Sequence, residues 1–175
     1  MIEIPKIKGG IEKDNMEFNE VVKKYGDMIY KLAFVYMKNE YDADDVYQEV
    51  FIRYLKYKPE FENYEHGKSW FIVVTINVCK SAKTSSWSRH NVSAEGSRIE
   101  QMLEQSSKQK MTRNEENIIE ALMALTDEAR LIVQLYYYEE YTVKEIAAMM
   151  ELKENTVYAR LSRARKMMKK YLAKL

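Results

Sequence analysis

The 175 residues carry 28 Lys and Arg against 27 Asp and Glu, for a formal net charge of +1, with 46% apolar residues, five Gly, two Pro and one cysteine. This length allows one large domain or two small ones, and the scarcity of Gly and Pro predicts long helices rather than strands. The single Cys79 excludes an internal disulfide framework and a cysteine-based zinc site, His66 and His90 are too far apart for a metal motif, and no apolar run approaches the roughly 20 residues that span a bilayer.

Residues 1–15, with Gly9-Gly10 and scattered charges, show no period and no apolar segment of the signal-peptide type, which predicts a loose terminus and a cytoplasmic protein. From Met16 to Tyr36 the pattern is helical, with Phe18, Val21, Val22, Tyr25, Ile29, Leu32, Ala33 and Tyr36 on one face and Gly26 tolerated within it. A break is expected over Met37 to Glu40. A second helix runs from Tyr41 to Lys58, with Asp42 as candidate N-cap, Asp44 and Asp45 near its positive end, and Pro59 as its stop. Its core face would be Ala43, Val46, Tyr47, Val50, Phe51 and Tyr54. Asp45, Gln48, Glu49 and Arg53 would point outward, and Glu49 and Arg53 are spaced as an i,i+4 ion pair.

Phe61 to Gly67 reads as a polar loop with aromatics. Lys68 to Thr84 is apolar-rich, but Val73-Val74-Thr75-Ile76 is β-branched and by propensity alone suggests a strand. From Ser85 to Met111 the chain turns rich in Ser, Gln and charge, as a linker would be, with a short helix possible from Arg98 to Gln105 and Trp87 as an isolated aromatic. Thr112 to Leu125 predicts a helix with Ile118, Ile119, Leu122 and Leu125 inward. Another, starting at Thr126-Asp127-Glu128 and ending near Tyr138, would bury Ala129, Ile132, Val133 and Tyr136. Tyr136, Tyr137, Tyr138 and Tyr141 form a dense aromatic patch expected to pack over the next two helices.

The stretch from Tyr141 to Lys170 is the most informative. Thr142 and Glu145 are spaced as a capping box opening a helix to Met150, with Ile146, Ala147 and Met150 on one face and Ala147 small enough for a close crossing. A second helix starting near Glu154 buries Val157, Leu161, Ala164 and Met168. Its opposite side carries Tyr158, Ala159, Ser162, Arg163 and Lys166, flanked by Arg160, Arg165, Lys169 and Lys170. From Lys153 to Leu175 eight Lys or Arg and one Glu make +7, so the preceding 152 residues carry −6. Two short helices with a basic second member are the pattern of a helix-turn-helix, whose second helix enters the DNA major groove. A merely solvated cationic face is the weaker reading, because the apolar stripe is narrow and a turn and a partner helix precede it.

The residues Glu145-Ile146-Ala147, Thr156-Val157 and Arg160-Leu161-Ser162-Arg163-Ala164-Arg165 resemble the C-terminal promoter-reading domain of bacterial RNA polymerase sigma factors, of the small extracytoplasmic-function (ECF) type. Asp44-Asp45-Val46-Tyr47-Gln48-Glu49-Val50-Phe51, about 100 residues nearer the N-terminus, is similar to the acidic helix that these factors dock on the polymerase. The resemblance implies an all-α protein of two small helical domains joined by a flexible linker: a region 2-like domain over 16–85, a linker over 86–111 and a region 4-like helix-turn-helix domain over 112–175. It also implies that the β-branched segment is helical, with Trp70 and Asn77 matching the family's usual Trp and Asn.

The resemblance carries residue roles as well. Asp45, Gln48 and Glu49 would contact core RNA polymerase. Asn63, Tyr64 and His66 would meet the unpaired minus-10 strand, with Lys68, Lys80 and Lys83 on its phosphates. In the minus-35 element Tyr158, Ala159, Ser162 and Arg163 would face bases, and Lys153, Arg160, Arg165 and Lys166 would face phosphates. An anti-sigma factor, often membrane-bound, would be the regulator. Departures from the family lie at the turn. Glu151 and Asn155 stand where Gly is common, Lys153 replaces a small N-cap, and Tyr158 stands where a basic residue is frequent. Thr126 stands where the family usually has Pro. The rival reading is a stand-alone helix-turn-helix regulator, against which the acidic helix argues. Neither paired catalytic groups nor a glycine-rich nucleotide loop supports an enzyme or a cofactor.

Overall fold

The computed structural model describes residues 18–84 and 112–174. The expected loose start over residues 1–15, the expected linker over 86–111 with its helix at Arg98 to Gln105, and Trp87 lie outside the described residues. Seven helices are seen among the described residues: α1 (Phe18–Met37), α2 (Glu40–Tyr57), α3 (Tyr64–Thr84), α4 (Arg113–Met123), α5 (Asp127–Tyr137), α6 (Val143–Met150) and α7 (Glu154–Leu172). None of them is long and apolar enough to cross a membrane.

The first three helices pack on one another. Val21, Tyr25, Ile29 and Leu32 of α1 meet Val46, Val50 and Phe51 of α2 and Phe71, Val74 and Val78 of α3, all buried. Aromatic rings fill the centre, with Tyr25 and Phe71 centroids 4.8 Å apart and Trp70 edge-on to Phe71 at 5.0 Å. Gly67 allows this closeness, since a Cβ there would lie 2.3 Å from the Tyr25 hydroxyl oxygen. The β-branched run is helical. Val74, Thr75 and Ile76 are buried on α3 and Thr75 Oγ1 donates to the Phe71 carbonyl at 2.7 Å, so burial overrides strand propensity.

Two helix starts differ from expectation. The N-cap of α2 is Asn39 rather than Asp42: Lys38 takes a left-handed φ of 65°, Asn39 is extended, and the Asn39 side chain accepts from the Asp42 N–H at 2.8 Å. The loop expected over Phe61 to Gly67 is shorter. Helix α3 already begins at Tyr64, because the Asn63 side chain accepts from the His66 N–H at 2.9 Å and its carbonyl from the Gly67 N–H at 3.2 Å.

In the second half Thr112 and Glu115 form a capping box on α4. Ile118, expected inward, is exposed. The face that α4 turns to α7 is centred on Ala121 and Leu122, with Leu125 just beyond. Helix α5 is covered by α1, α6 and α7, and buries Leu131, Ile132, Val133 and Leu135. Tyr136, expected to be buried, is 37% exposed, and Tyr137 and Tyr138 are exposed too, because the apolar neighbours have already taken the other sides of α5. Only Tyr141 of the aromatic patch is buried. Buried apolar residues of both halves belong to one continuous core, so the two helical units sit against each other.

The helix-turn-helix forms as its capping signals require. Thr142 and Glu145 cap α6 reciprocally. Helix α6 ends at Glu151, which adopts φ 59°, and the Leu152 N–H reaches back to the Ala147 carbonyl at 2.8 Å. The expected positive φ at Glu151 is therefore present without glycine. Asn155 lies inside α7 and needs none. A left-handed non-glycine residue costs about 1–2 kcal/mol, partly offset by the entropy that glycine loses on folding. Glu151→Gly should accordingly stabilise the protein by roughly 0.5–1 kcal/mol in chemical denaturation, whereas Glu151→Val should destabilise it.

Candidate functional site

Helix α7 buries Val157, Leu161 and Ala164 and leaves its opposite face to solvent. Tyr158, Ala159, Ser162, Arg163 and Lys166 are all exposed there, as are Lys153 at the N-cap and Arg165. Arg163 and Arg165 tuck their Nε–H groups onto carbonyls one turn back, at 3.3 Å on Ala159 and 3.4 Å on Leu161. Arg160 is different. Its Nη1 lies 2.5 Å from Glu128 Oε2 on α5, an ion pair without hydrogen-bond alignment, so this arginine also ties α7 to its scaffold. Met168 is only half-buried at the edge of the stripe.

On α2, Gln48 is exposed and Asp45 and Glu49 half-exposed. Glu49 accepts from Arg53 Nε at 2.8 Å, the i,i+4 pair its spacing predicts. Exposed Ile52 and Leu55 lie further along the helix, which therefore offers apolar as well as acidic surface.

At the start of α3, Asn63 is engaged in capping and His66 Nδ1 accepts from the Glu62 N–H at 3.3 Å. Tyr64, 40% exposed, stacks on Tyr25 with centroids 5.3 Å apart, and the Lys24 ammonium sits 5.3 Å from the Tyr64 ring centroid. The three lysines of α3 turn toward the second half of the protein. Lys68 Nζ lies 3.1 Å from Glu139 Oε2 and 5.2 Å from the Tyr141 ring centroid. Lys80 Nζ donates to the Met150 carbonyl at 3.2 Å, at the C-terminal end of α6, where a cation complements the helix dipole. Lys83 Nζ donates to Asp127 Oδ2 at 2.8 Å.

Comparison with known proteins joins these surfaces. A model of Sigma-70 region 2 matches residues 21–89, and a model of Sigma-70 region 4 matches residues 115–168. RNA polymerase sigma factor SigV of Bacillus subtilis is 31% identical over 146 residues, which cover 83% of this chain and 84% of that protein. ECF RNA polymerase sigma factor SigE of Mycolicibacterium smegmatis is 30% identical over 170 residues, 90% of this chain but 62% of the relative's own length. The chain belongs to the ECF sigma factors. The fold agrees: the sigma factor RpoE of Bartonella quintana, solved in complex with the anti-sigma factor NepR, superposes with a TM-score of 0.64 at 16% identity, covering 90% of this chain and 97% of that one.

Within this sigma factor the region 2 and region 4 helices are held together by a residue that sequence reasoning passed over. Arg130 on α5 is completely buried. Its Nε donates to the Val35 carbonyl and Nη2 to the Tyr36 carbonyl at 3.3 Å, both in the last turn of α1. Nη1 donates to the carbonyls of Met123 at 3.2 Å and Leu125 at 2.9 Å, at the end of α4, and Nη2 donates to Asp127 Oδ1 at 2.6 Å. A guanidinium has five N–H donors, and the five acceptors match them. The available signal was an arginine inside an otherwise apolar run, three residues after an aspartate.

Asp127 thus answers both Arg130 and Lys83. Burial works against its charge, but the hydrogen bonds and charges of the two cations outweigh that and hold its carboxyl below the usual range. Glu139 likewise outweighs burial and raises Lys68 above the ordinary lysine value. Cys79 is buried and its thiol pushed up to about 12, which makes it unreactive.

The depressed acid of Asp127 sets the sign of a pH effect. Its contribution is present above the unfolded carboxyl pKa, near about 4, and is lost as pH falls through the lower folded value. Urea denaturation should find Asp127→Ala less stable than wild type at pH 7, with the difference shrinking as pH falls below about 4. A gap that stays constant to about pH 2 would exclude an ionic role for Asp127.

Proposed function

We infer that this chain is an alternative sigma factor of the ECF type that binds core RNA polymerase and directs promoter recognition and transcription initiation. The observation that carries this reading is the pairing, in one chain, of a region 2 match bearing an outward acidic helix with a region 4 match bearing an exposed basic recognition helix. Its work is binding, without catalysis of its own, and it belongs in the cytoplasm with the polymerase. Core polymerase would take Asp45, Gln48 and Glu49 of α2. Asn63, Tyr64 and His66, with Lys68, Lys80 and Lys83, would hold the minus-10 strand. The exposed face of α7 would read the minus-35 element, with Tyr158, Ala159, Ser162 and Arg163 toward base edges and Lys153, Arg165 and Lys166 toward phosphates. Arg160 would serve mainly by steadying α7, given its pair with Glu128. The same reading would put region 2 over 16–85, a linker over 86–111 and region 4 over 112–175. The RpoE relative, seen with an anti-sigma factor, supports regulation by a protein of that kind.

Affinity capture of bacterial core RNA polymerase tests the polymerase half. The purified protein should retain core enzyme, and the Asp45→Ala/Gln48→Ala/Glu49→Ala variant should lose it while keeping its helicity. Failure of the wild-type protein to bind core enzyme, alongside tight duplex binding on its own, would point instead to a stand-alone regulator. The DNA half is tested by Arg163→Ala, which should weaken holoenzyme binding to a minus-35 duplex by about 1–3 kcal/mol if the contact is bidentate. Unchanged affinity would remove Arg163 from the base-facing set.

A further inference from the structure

Arg130 and Arg160 each sit against an acid in the first turn of α5, and they are held differently. Arg130 has an acceptor for every donor. Arg160 meets the Glu128 carboxylate at 2.5 Å, yet its Nη1 is buried and makes no hydrogen bond. A guanidinium seated in a matching set of acceptors is fixed in place, whereas one drawn mainly by charge can exchange partners. The Arg160 and Glu128 side chains are 25% and 45% accessible, so another anion can compete for the arginine.

The position of Arg160 on α7 decides which anion that is. It stands three residues after Val157 and four before Ala164, at the edge of the buried stripe. Arg163, on the exposed face, follows it by one turn. Arg163 and Arg165 bond to carbonyls of α7 itself, whereas Arg160 is drawn to a different helix. Arg160 therefore lies on the flank between the seat of α7 and its basic face, where a helix in the major groove passes a phosphate strand.

We propose that Glu128 is a positioning residue that competes with promoter phosphates for Arg160. This rests on the reading of α7 as the minus-35 recognition helix. A phosphate contact strengthens binding to every sequence alike, whereas contacts to base edges discriminate. Holding Arg160 on α5 takes one sequence-independent contact away from α7, and leaves Tyr158, Ala159, Ser162 and Arg163 a larger share of the binding. Release of Arg160 does not unseat the helix. Its apolar stripe stays buried, and the Tyr171 hydroxyl donates to Glu120 Oε2 on α4 at 3.3 Å.

Fluorescence anisotropy of the full chain on a mixed-sequence DNA duplex, across a salt series, tests this. Glu128→Gln should bind roughly threefold tighter or more at low salt, and its log–log salt slope should steepen by about 0.9, as one added phosphate contact requires. Glu128→Ala, which cannot hydrogen-bond Arg160, should do the same. In an Arg160→Ala background neither substitution should change the slope. A slope equal to wild type in both folded variants would overturn the proposal. A rise that persists without Arg160 would also overturn it, because removal of a negative charge would then act at long range. Arg163→Ala/Lys166→Ala separates the two levels of the argument. Unchanged slopes at Glu128 beside weakened binding by that double variant would overturn the proposal alone. Binding that the double variant does not weaken would overturn the reading of α7, and the proposal with it.

Discussion

The arrangement of this protein depends on one buried guanidinium. A charge without solvent is tolerated only when each of its donors finds an acceptor, and Arg130 meets that condition with four main-chain carbonyls and one carboxylate. The carbonyls lie at the C-terminal ends of α1 and α4, where helix dipoles concentrate partial negative charge. A lysine could not span this geometry, because it has fewer donors and no planar fork. The charge therefore does more than fill space. It sets where α1 ends relative to α5, and with it the relation of region 2 to region 4.

From that junction the interface spreads along α3. Lysines that look like generic cations in the sequence each meet a particular oxygen: Glu139, Met150 or Asp127. Two of these acceptors are carboxylates of a half whose recognition helix is basic, so the second half presents opposite charge on opposite sides. The acidic side faces inward onto α3, and the basic side faces solvent on α7. This separation lets one small helical unit carry both an intramolecular contact and an exposed basic surface.

The recognition helix itself relies on ordinary local devices. A capping box opens α6, a left-handed residue closes it, and three small or branched apolar residues seat α7. Where glycine would be expected, Glu151 takes the left-handed conformation, and Leu152 seals the turn by its backbone bond to Ala147. The face left over is polar and exposed, and Arg160, although part of the basic helix, is used to brace it against α5.

Much of this was legible in the sequence. The helix-turn-helix, the capping box at Thr142 and Glu145, the Glu49 and Arg53 pair and the outward acidic face of α2 all follow from spacing within one or two turns, because capping and i,i+4 contacts are local. The identity of the family was legible too, from two motifs in order. What the sequence could not decide depended on partners remote in the chain. Asn39 rather than Asp42 caps α2 because Lys38 turns left-handed. Tyr136 faces solvent because three other helices already surround α5. The strand-like run of α3 is helical because its side chains are buried among those of α1 and α2. Above all, Arg130 is buried, and Lys68, Lys80 and Lys83 face protein, because helices pack whose contacting residues stand 44 to 95 positions apart. A sequence shows which charges exist, but only the fold brings each one within reach of its counter-charge.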